Sequence, residues 1–497
     1  MKPIALNRGT LASLGAVAEI PRFAPASVTA GIAHFGLGGF HRAHMARYTH
    51  ELMGRDRASL NWGILGCLLM PNDRRMGESL TPQDNLYTLI EREGTQERVR
   101  IIASLAGLVD ATASSAPLLA RLDDPAIRIV SLTVTEHGYC LNAATKHLDP
   151  DHPLIRADLE TPETPRSAIG TIVEMLRRRR RAGKAPPTLL SCDNIQHNGE
   201  VLRAAVLALA SLRDETLAAW IEREVAFPST MVDRITPVTS PADIEYLAAQ
   251  RGIVDRWPVV SESFSQWVIE DRFPQGRPAW EDVGAQFVAD VAPYEFMKLR
   301  LLNASHLAVS GLGQLAGYVT IDESLADLRI RAVMAALMDH ETGPTLPAIP
   351  GVDLGTYKAR LIQRFANPAI RDTVQRVNTD APINYLLDPI RDRLRTGGDI
   401  TFLSLALAAW LRRVRGTDGR GNPLTVTHPH AALLREKAIE GGADPRPLLG
   451  IETLFGALGR NTTLIAAAQR WLAALYDDGI EATLDKAAAV AAPHERD

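Results

Sequence analysis

The residues best suited to chemistry crowd into one stretch, Pro293–His306, which carries Glu295, Lys298, Asn303 and His306. At the angular step of an α-helix, with Lys298 at zero, Glu295 falls at about 60°, His306 at about 80° and Asn303 at about 140°. All four therefore lie on one side of a helix. Leu299, Leu301, Leu302, Leu307 and Val309 spread round the same helix, which implies that it is buried. A buried lysine is costly unless paired or neutral, and burial lowers its pKa towards the range of a general base. The chemistry on offer is proton abstraction by a neutral Lys298. The same spacing also suits a Lys298–Glu295 ion pair with His306 as a hydrogen-bonded core residue, and spacing alone leaves both readings open.

A second constellation is glycine-rich. The run Gly36-Leu37-Gly38-Gly39-Phe40-His41 follows a strand-like Ile32–Phe35 and opens a helical pattern. Glycines at a strand-to-helix turn let the backbone approach a pyrophosphate, and the helix N-terminus favours its charge. The pattern is G-x-G-x-x-H, so its third glycine is absent, and a tight turn without a ligand is the competing reading. An acid that binds ribose should end the second strand. Asp73 follows the strand-like Trp62–Leu69 and would accept hydrogen bonds from both ribose hydroxyls and repel a 2′-phosphate, which favours NAD. It stands further from the glycines than usual, and its neighbours Arg74 and Arg75 leave some NADP use open.

Two polar turns, Thr133–Tyr139 and Ser191–Gly199, end further strand-like runs, where an open α/β sheet places its ligand crevice. Ordinary turn and cap chemistry would favour the same residues. His34, His41, His44 and His50 are crowded, but no Cys or carboxylate stands at zinc-ligand spacing beside them, so no metal site is expected.

These groups need elements to position them. With 497 residues, 46% hydrophobic and 23% charged, the chain suits two soluble domains. The first half alternates strand-like runs (Ile32–Phe35, Trp62–Leu69, Val99–Ile102, Ile127–Val134, Thr188–Cys192) with helical patterns (His41–Met53, Ala116–Leu122, Ala168–Arg181, Gly199–Ser211). Such alternation predicts a parallel sheet with crossover helices. From about residue 290 the patterns become helical: Tyr294–Leu315, Leu325–Met338, Leu354–Phe365, Ile400–Arg415 and Asn461–Leu475, with loops at Glu341–Gly355 and Gly416–Pro429. The expectation is an α/β Rossmann-type domain over residues 1–288 and a mainly α-helical domain over 289–497.

A net charge of -4 argues against a nucleic-acid partner. The basic run Arg177–Arg181 with Lys184 reads as a solvated helix end. Cys67, Cys140 and Cys192 are too few for a disulfide framework, which points to a reducing, cytoplasmic setting. The N-terminus has no apolar segment of signal-peptide type, and no apolar run reaches the ~20 residues of a membrane span. A monomer or weak homo-oligomer without a membrane partner is expected.

The motifs together carry a resemblance. Residues 31–44 (Gly-Ile-Ala-His-Phe-Gly-Leu-Gly-Gly-Phe-His-Arg-Ala-His), Ser-Leu-Thr-Val-Thr-Glu at 131–136, Ser-Cys-Asp-Asn at 191–194, Met-Val-Asp-Arg-Ile-Thr-Pro at 231–237, Gln-Trp-Val-Ile-Glu-Asp at 266–271 and K-x4-N-x2-H at Lys298, Asn303 and His306 are similar to those of the polyol-specific long-chain dehydrogenases. That family includes mannitol 2-dehydrogenase and fructuronate reductase, and the resemblance runs from about Leu11 to about Thr483. It implies Lys298 as catalytic base, Asn194 and Asn303 as the pair that stabilises the substrate oxygen, His306 as a substrate-positioning group and Glu295 as a proton relay. It further implies substrate contacts from Val232, Asp233 and Arg376. Cofactor contacts are expected from Ile32, Phe35, Gly36, Leu37, Gly38, Gly39, Phe40, Asp73, Thr135 and Glu136. The implied active site lies between the two domains and needs no metal.

One departure bears on the substrate. After the matched arginine the family reads Asp-Gly-Ser and then a lysine that reaches the substrate. Here the chain reads Arg376-Val-Asn-Thr-Asp-Ala-Pro-Ile-Asn-Tyr385, shorter and without the lysine. Asn378, Asp380 and Asn384 are the nearby polar groups, which suits a neutral polyol or ketose over a hexuronate. The expected activity is NAD-dependent hydride transfer between a polyol and its ketose. Hexuronate reduction is the alternative within the class, and a non-catalytic nucleotide-binding protein the alternative outside it.

Overall fold

The computed structural model describes residues 3–142 and 145–492. It divides into two compact units, Met1–Ala292 and Pro293–Asp497; the sequence places the division after residue 288.

The first unit is built on strands β1 (Ala30–Phe35), β2 (Gly63–Leu68), β3 (Leu105–Asp110), β4 (Ile129–Leu132) and β5 (Thr188–Ser191). Among the described residues they form one sheet in the order β3-β2-β1-β4-β5, every pair parallel. Alternate residues of a strand face opposite sides. Ala33 and Phe35 of β1 thus enter one buried apolar cluster, with Leu118, Ile172 and Val206 of the covering helices. Ile32 enters another, with Tyr48, Leu52, Trp267 and Trp280. Cover on both faces explains why these strands read as unbroken apolar runs.

Three expectations need correction here. Val99–Ile102 belongs to strand Gln96–Ile102, which pairs antiparallel with Tyr87–Glu93 in a separate three-stranded sheet. A two-residue turn with Gly94 at positive φ joins the two, and so short a link permits only a hairpin. The helix over His41–Met53 is broken at His44 into Gly39–Ala43 and Met45–Arg55. The arginine run is only partly solvated. Arg179 is buried and donates to the carbonyls of Leu122, Asp124, Ile127 and Ala185, while Arg177, Arg178 and Arg213 converge on the buried Glu174.

The second unit is helical, and its only β pairings among the described residues are the isolated bridges Thr320–Thr373 and Thr417–Pro423. At its centre the chain runs through helix Ala292–Met297, a π-helical turn Lys298–Asn303 and helix Ala304–Ala316. The expected continuous helix over Tyr294–Leu315 is therefore interrupted. Helix Ala304–Ala316 is buried along nearly its whole length against Thr401–Arg413 and Val374–Asp380. The stretch Leu325–Met338 is also divided, because Asp327 caps a new helix, Leu328–Ala336, at Arg329 N. A second π turn, Leu337–Thr342, and a short 3-10 turn, Gly343–Thr345, occupy the start of the loop expected at Glu341. Among the described residues no helix is long and apolar enough to cross a membrane. The three cysteines are buried and unbridged.

Candidate active site

The glycine loop begins where β1 ends. Gly36 sits at φ +90°, and a Cβ there would stand 2.1 Å from the Thr133 carbonyl oxygen, so both conformation and space require glycine. Its carbonyl accepts the Thr133 hydroxyl at 2.7 Å and the Gly38 N–H at 2.7 Å. At Gly38 an added Cβ would meet nothing closer than 3.9 Å, and at Gly39 nothing closer than 3.7 Å. Gly38 lines a cavity that a side chain there would enter, while an added carbon at Gly39 would rest in ordinary contact with Thr236; the first is the form of a pyrophosphate cradle. The neighbouring cavity, of about 410 Å³, is lined by Gly36, Leu37, Gly38, Asp73 and Thr133–Thr135, with Arg75 and Trp257.

Asp73 sits beyond β2, as its position after that strand implies. Its Oδ2 accepts the N–H groups of Leu69 and Met70 at 2.9 and 2.8 Å. The carboxylate is thereby fixed at the cavity wall. The two adjacent arginines are engaged: Arg74 donates to Thr112 Oγ1 at 2.7 Å, and Arg75 lies over the Trp257 ring at 4.2 Å. The residues present fit a dinucleotide whose adenosine ribose reaches Asp73.

Beside the loop, a buried scaffold escaped the sequence reading. Asp193 accepts Thr135 N at 2.7 Å, Val134 N at 3.2 Å and the Tyr139 hydroxyl at 2.7 Å. Burial raises its pKa against the pull of these donors. Thr135 is held at φ +61°, a conformation unfavourable for a threonine and imposed by these bonds. His34 spans Ser131 Oγ at 2.8 Å and Thr133 Oγ1 at 2.9 Å, and burial drives its pKa down to about 3. Its ring stacks on His41 at 3.4 Å. Among the described residues no three His, Cys, Asp or Glu side chains are placed to hold a metal.

Not every expected cofactor residue reaches the cavity. Ile32 and Phe35 are fully buried in the sheet's two apolar clusters, and support the loop from below. Glu136 is exposed and paired with Lys146 at 2.8 Å. Gly39 and Phe40 begin the helix after the loop.

Asn194 is exposed on the turn after β5. That turn is joined to strand Thr230–Asp233, which carries the buried Val232 and Asp233. Asn198 makes the joint: its amide donates to the carbonyls of Asp193 and Thr230, and its oxygen accepts Thr230 N. Arg234 then secures the strand's end through Glu91, Ala43 O and Glu262 O.

In the second unit Glu295, Lys298 and Asn303 are all buried. The π turn changes their relation. Ala304 N donates to Leu299 O, five residues back. Such bonding brings residues five apart onto one face, much as an α-helix does for residues four apart. Asn303 therefore lies closer round the helix to Lys298 than the even α-helical step allows. His306 lies between Phe365, at 4.5 Å between ring centroids, and the buried Asp372, whose Oδ2 is 3.4 Å from Nε2. Asp372 also accepts Arg376 Nε at 2.6 Å and Nη2 at 2.5 Å. Burial would raise its pKa, but His306 and Arg376 outweigh it and hold the carboxyl well below its usual range. Asn378, expected near the substrate, is instead buried and bonded to Ser310 and Gln314. Asn384 is exposed at the start of helix Asn384–Arg395, and the side chain of Asp380 lies outside the described residues.

Comparison with known proteins identifies the family of the chain. The mannitol dehydrogenase Rossmann domain matches residues 30–282, and the mannitol dehydrogenase C-terminal domain matches residues 290–476. The chain is 44% identical over 444 residues to the D-mannonate oxidoreductase of Escherichia coli K12, covering 88% of this chain and 91% of the relative. It is 42% identical over 474 residues to the mannitol 2-dehydrogenase of Aspergillus fumigatus, covering 93% and 94%. Among solved structures, the Pseudomonas fluorescens mannitol 2-dehydrogenase in ternary complex with NAD and D-mannitol aligns with a TM-score of 0.88 at 40% identity, over 99% of this chain and 100% of that one. A D-sorbitol dehydrogenase in substrate-free form aligns at 0.87 and 34% identity, over 96% and 100%. The chain belongs to the mannitol dehydrogenase family.

Proposed function

We propose that the chain is an NAD-dependent, metal-independent polyol dehydrogenase that interconverts a secondary hydroxyl of a sugar alcohol and the corresponding ketone. The observation that carries this reading is the buried Lys298 sharing one π turn with Asn303. The P. fluorescens relative, solved with NAD and D-mannitol, supports both the cofactor and the substrate class. Residues 1–288 hold the cofactor and add Asn194, Val232 and Asp233 to the site, and residues 289–497 carry Glu295, Lys298, Asn303, His306 and Arg376.

Neutral Lys298 takes the proton of the reacting hydroxyl, and Glu295, three residues earlier on the same helix, relays it onward. Asn303 and Asn194 donate amide hydrogen bonds to the oxygen as it gains charge on reduction or loses its proton on oxidation. NAD, held by the glycine loop and Asp73, supplies the hydride acceptor. His306, Arg376, Val232 and Asp233 position the remaining hydroxyls. Lysine thus does the work for which other alcohol dehydrogenases use zinc or tyrosine. Three buried thiols fit a reducing, cytoplasmic setting.

The D-mannonate oxidoreductase relative raises hexuronate reduction as a second reading. A hexuronate carboxylate needs a cation, and the arginine that the resemblance assigns to the substrate pocket, Arg376, already has two of its nitrogens on Asp372. The arginine therefore brings no uncompensated charge, which favours a neutral substrate. The test is kcat/KM with NAD or NADH for mannitol, arabinitol, sorbitol and their ketoses against fructuronate and tagaturonate, on one preparation. A neutral substrate should lead. A hexuronate ahead of every neutral compound overturns the reading.

A further inference from the structure

We propose that Asp372 is a positioning residue that presents His306 and Arg376 to the substrate as one preorganised unit, with the histidine proton fixed on Nε2. This rests on the assignment of those two groups to substrate binding. Asp372 itself touches neither reacting atoms nor cofactor in the proposed mechanism.

The carboxylate is well built for this task. It is 7% exposed, so solvent competes little for its oxygens. Arg376 approaches it through both Nε and Nη2, a two-pronged geometry that fixes the guanidinium plane as well as its distance. His306 Nε2 is buried and faces Oδ2 at 3.4 Å without completing a hydrogen bond, so this carboxylate is the acceptor toward which its proton is aimed. A carboxylate only accepts, so it favours the proton on the histidine nitrogen that faces it. While the ring is neutral, Nδ1 is then an acceptor suited to a substrate hydroxyl. Phe365 confines the ring from its face, which leaves Asp372 to set its rotation.

The backbone around Asp372 is equally constrained. Its carbonyl accepts Ile321 N at 2.9 Å, and Val374 N donates to Val319 O at 3.1 Å. Both bonds tie the segment to the start of helix Ile321–Ala326, where Thr320 and Glu323 form a reciprocal cap. The Thr373 hydroxyl caps the helix that carries Arg376. Asp372 is thus held from behind independently of the two groups it orients. Loss of its side chain should release them without unravelling the segment.

The first measurement needs no substrate. Histidine 15N resonances of the wild type, assigned by loss of a signal in His306→Gln, should show His306 protonated at Nε2 and bare at Nδ1. A proton on Nδ1 alone overturns the proposal. The second uses Asp372→Ala, with Asp372→Asn as the isosteric variant should alanine fail to fold. Either should raise KM for the best polyol about tenfold or more, with kcat changed far less and the Kd for NAD within about twofold. In a His306→Ala, Arg376→Ala background the same change should cost little further. An unchanged KM in a folded variant, or a full loss that persists in that background, overturns it. If the wild type turns over no polyol or ketose, the functional reading fails, and the histidine spectrum still decides the tautomer.

Discussion

Lys298 opens and Asn303 closes a single π-helical turn, both side chains buried. A π turn is a costly insertion in an α-helix and concentrates at functional sites. Here it brings a lysine and an asparagine, the base and amide donor of the proposed mechanism, onto one face. Replacing Lys298 by alanine should lower kcat by about 100-fold or more, the low end of general-base contributions, while NAD binding persists. Near-normal turnover in a folded variant would remove the lysine from the mechanism.

The same assignment bears on metals. With Lys298 as base, no Lewis acid is required, and the described residues place no three metal-ligating side chains together. Prolonged dialysis against a chelator should leave activity unchanged. Activity lost on dialysis and restored by zinc would refute the lysine mechanism.

Asp73 should decide cofactor preference. Its carboxylate is fixed by Leu69 N and Met70 N at the wall of the glycine-loop cavity. Asp73→Asn keeps an acceptor for these bonds and removes the charge that opposes a 2′-phosphate. The ratio of kcat/KM for NAD over NADP should fall about tenfold or more, since a charged hydrogen-bond partner is worth about 1.5–3 kcal/mol. A wild type that already prefers NADP would show that this acid does not face the ribose.

Two glycines of the same loop should behave differently. Gly36→Ala forces a Cβ to 2.1 Å from Thr133 O at φ +90°, so stability should drop by about 1–3 kcal/mol along with NAD affinity. Gly38→Ala meets nothing within 3.9 Å, so the fold should tolerate it while its methyl fills the cradle and weakens NAD. Thermal melts and NAD titrations of both variants check this. Equal NAD affinity in Gly38→Ala and wild type would place the pyrophosphate elsewhere.

What the sequence disclosed, and what it did not, follows from the range of the interactions. Helices Ala168–Arg181 and Leu354–Phe365 match their expected bounds because their patterns are local and capped by Ser167 and Asp353. The K-x4-N-x2-H residues stay on one continuous helical path, but the π turn brings Asn303 round towards Lys298. The π turn does not announce itself, because an i to i+5 bond replaces an i to i+4 bond without a change of residue type. Asp372 lies 66 residues from His306, and only tertiary folding joins them; its spacing of four from Arg376 was the one available hint. Asp193 sat inside a quoted motif, yet its role depends on Thr135 and Tyr139, which come from another strand's turn. Asn378 misled for the opposite reason, standing two residues after Arg376 in sequence but bonded into the core.

A final prediction concerns pH and lies apart from the chemistry. Glu341 is fully buried in the second π turn, and its two oxygens accept the N–H groups of Phe402 and Leu403 at 2.7 and 2.6 Å. Those donors open helix Thr401–Arg413 and favour the charged form. Burial opposes them and prevails, with Asp399 adding to the rise and Arg393 opposing it, so that the carboxyl is pushed up to about 8 from an ordinary 4.5. Between pH 4.5 and about 8 the folded chain then holds a proton that the unfolded chain has released. Stability from this group is fully present below pH 4.5 and is lost as pH rises through about 8. One proton changes stability by at most about 1.4 kcal/mol per pH unit, so between pH 5.5 and 7.5 the loss is about 3 kcal/mol at most. For a unit of this size that is roughly 6–12 °C in Tm. Glu341→Gln cannot ionise and leaves one N–H less well matched, so its absolute stability is uninformative. The difference in Tm between wild type and variant is the measure, followed across pH 5.5 to 8.5. It should shift in favour of the variant as pH rises. Parallel curves over that range would mean that Glu341 is ionised throughout and that the two backbone donors outweigh its burial.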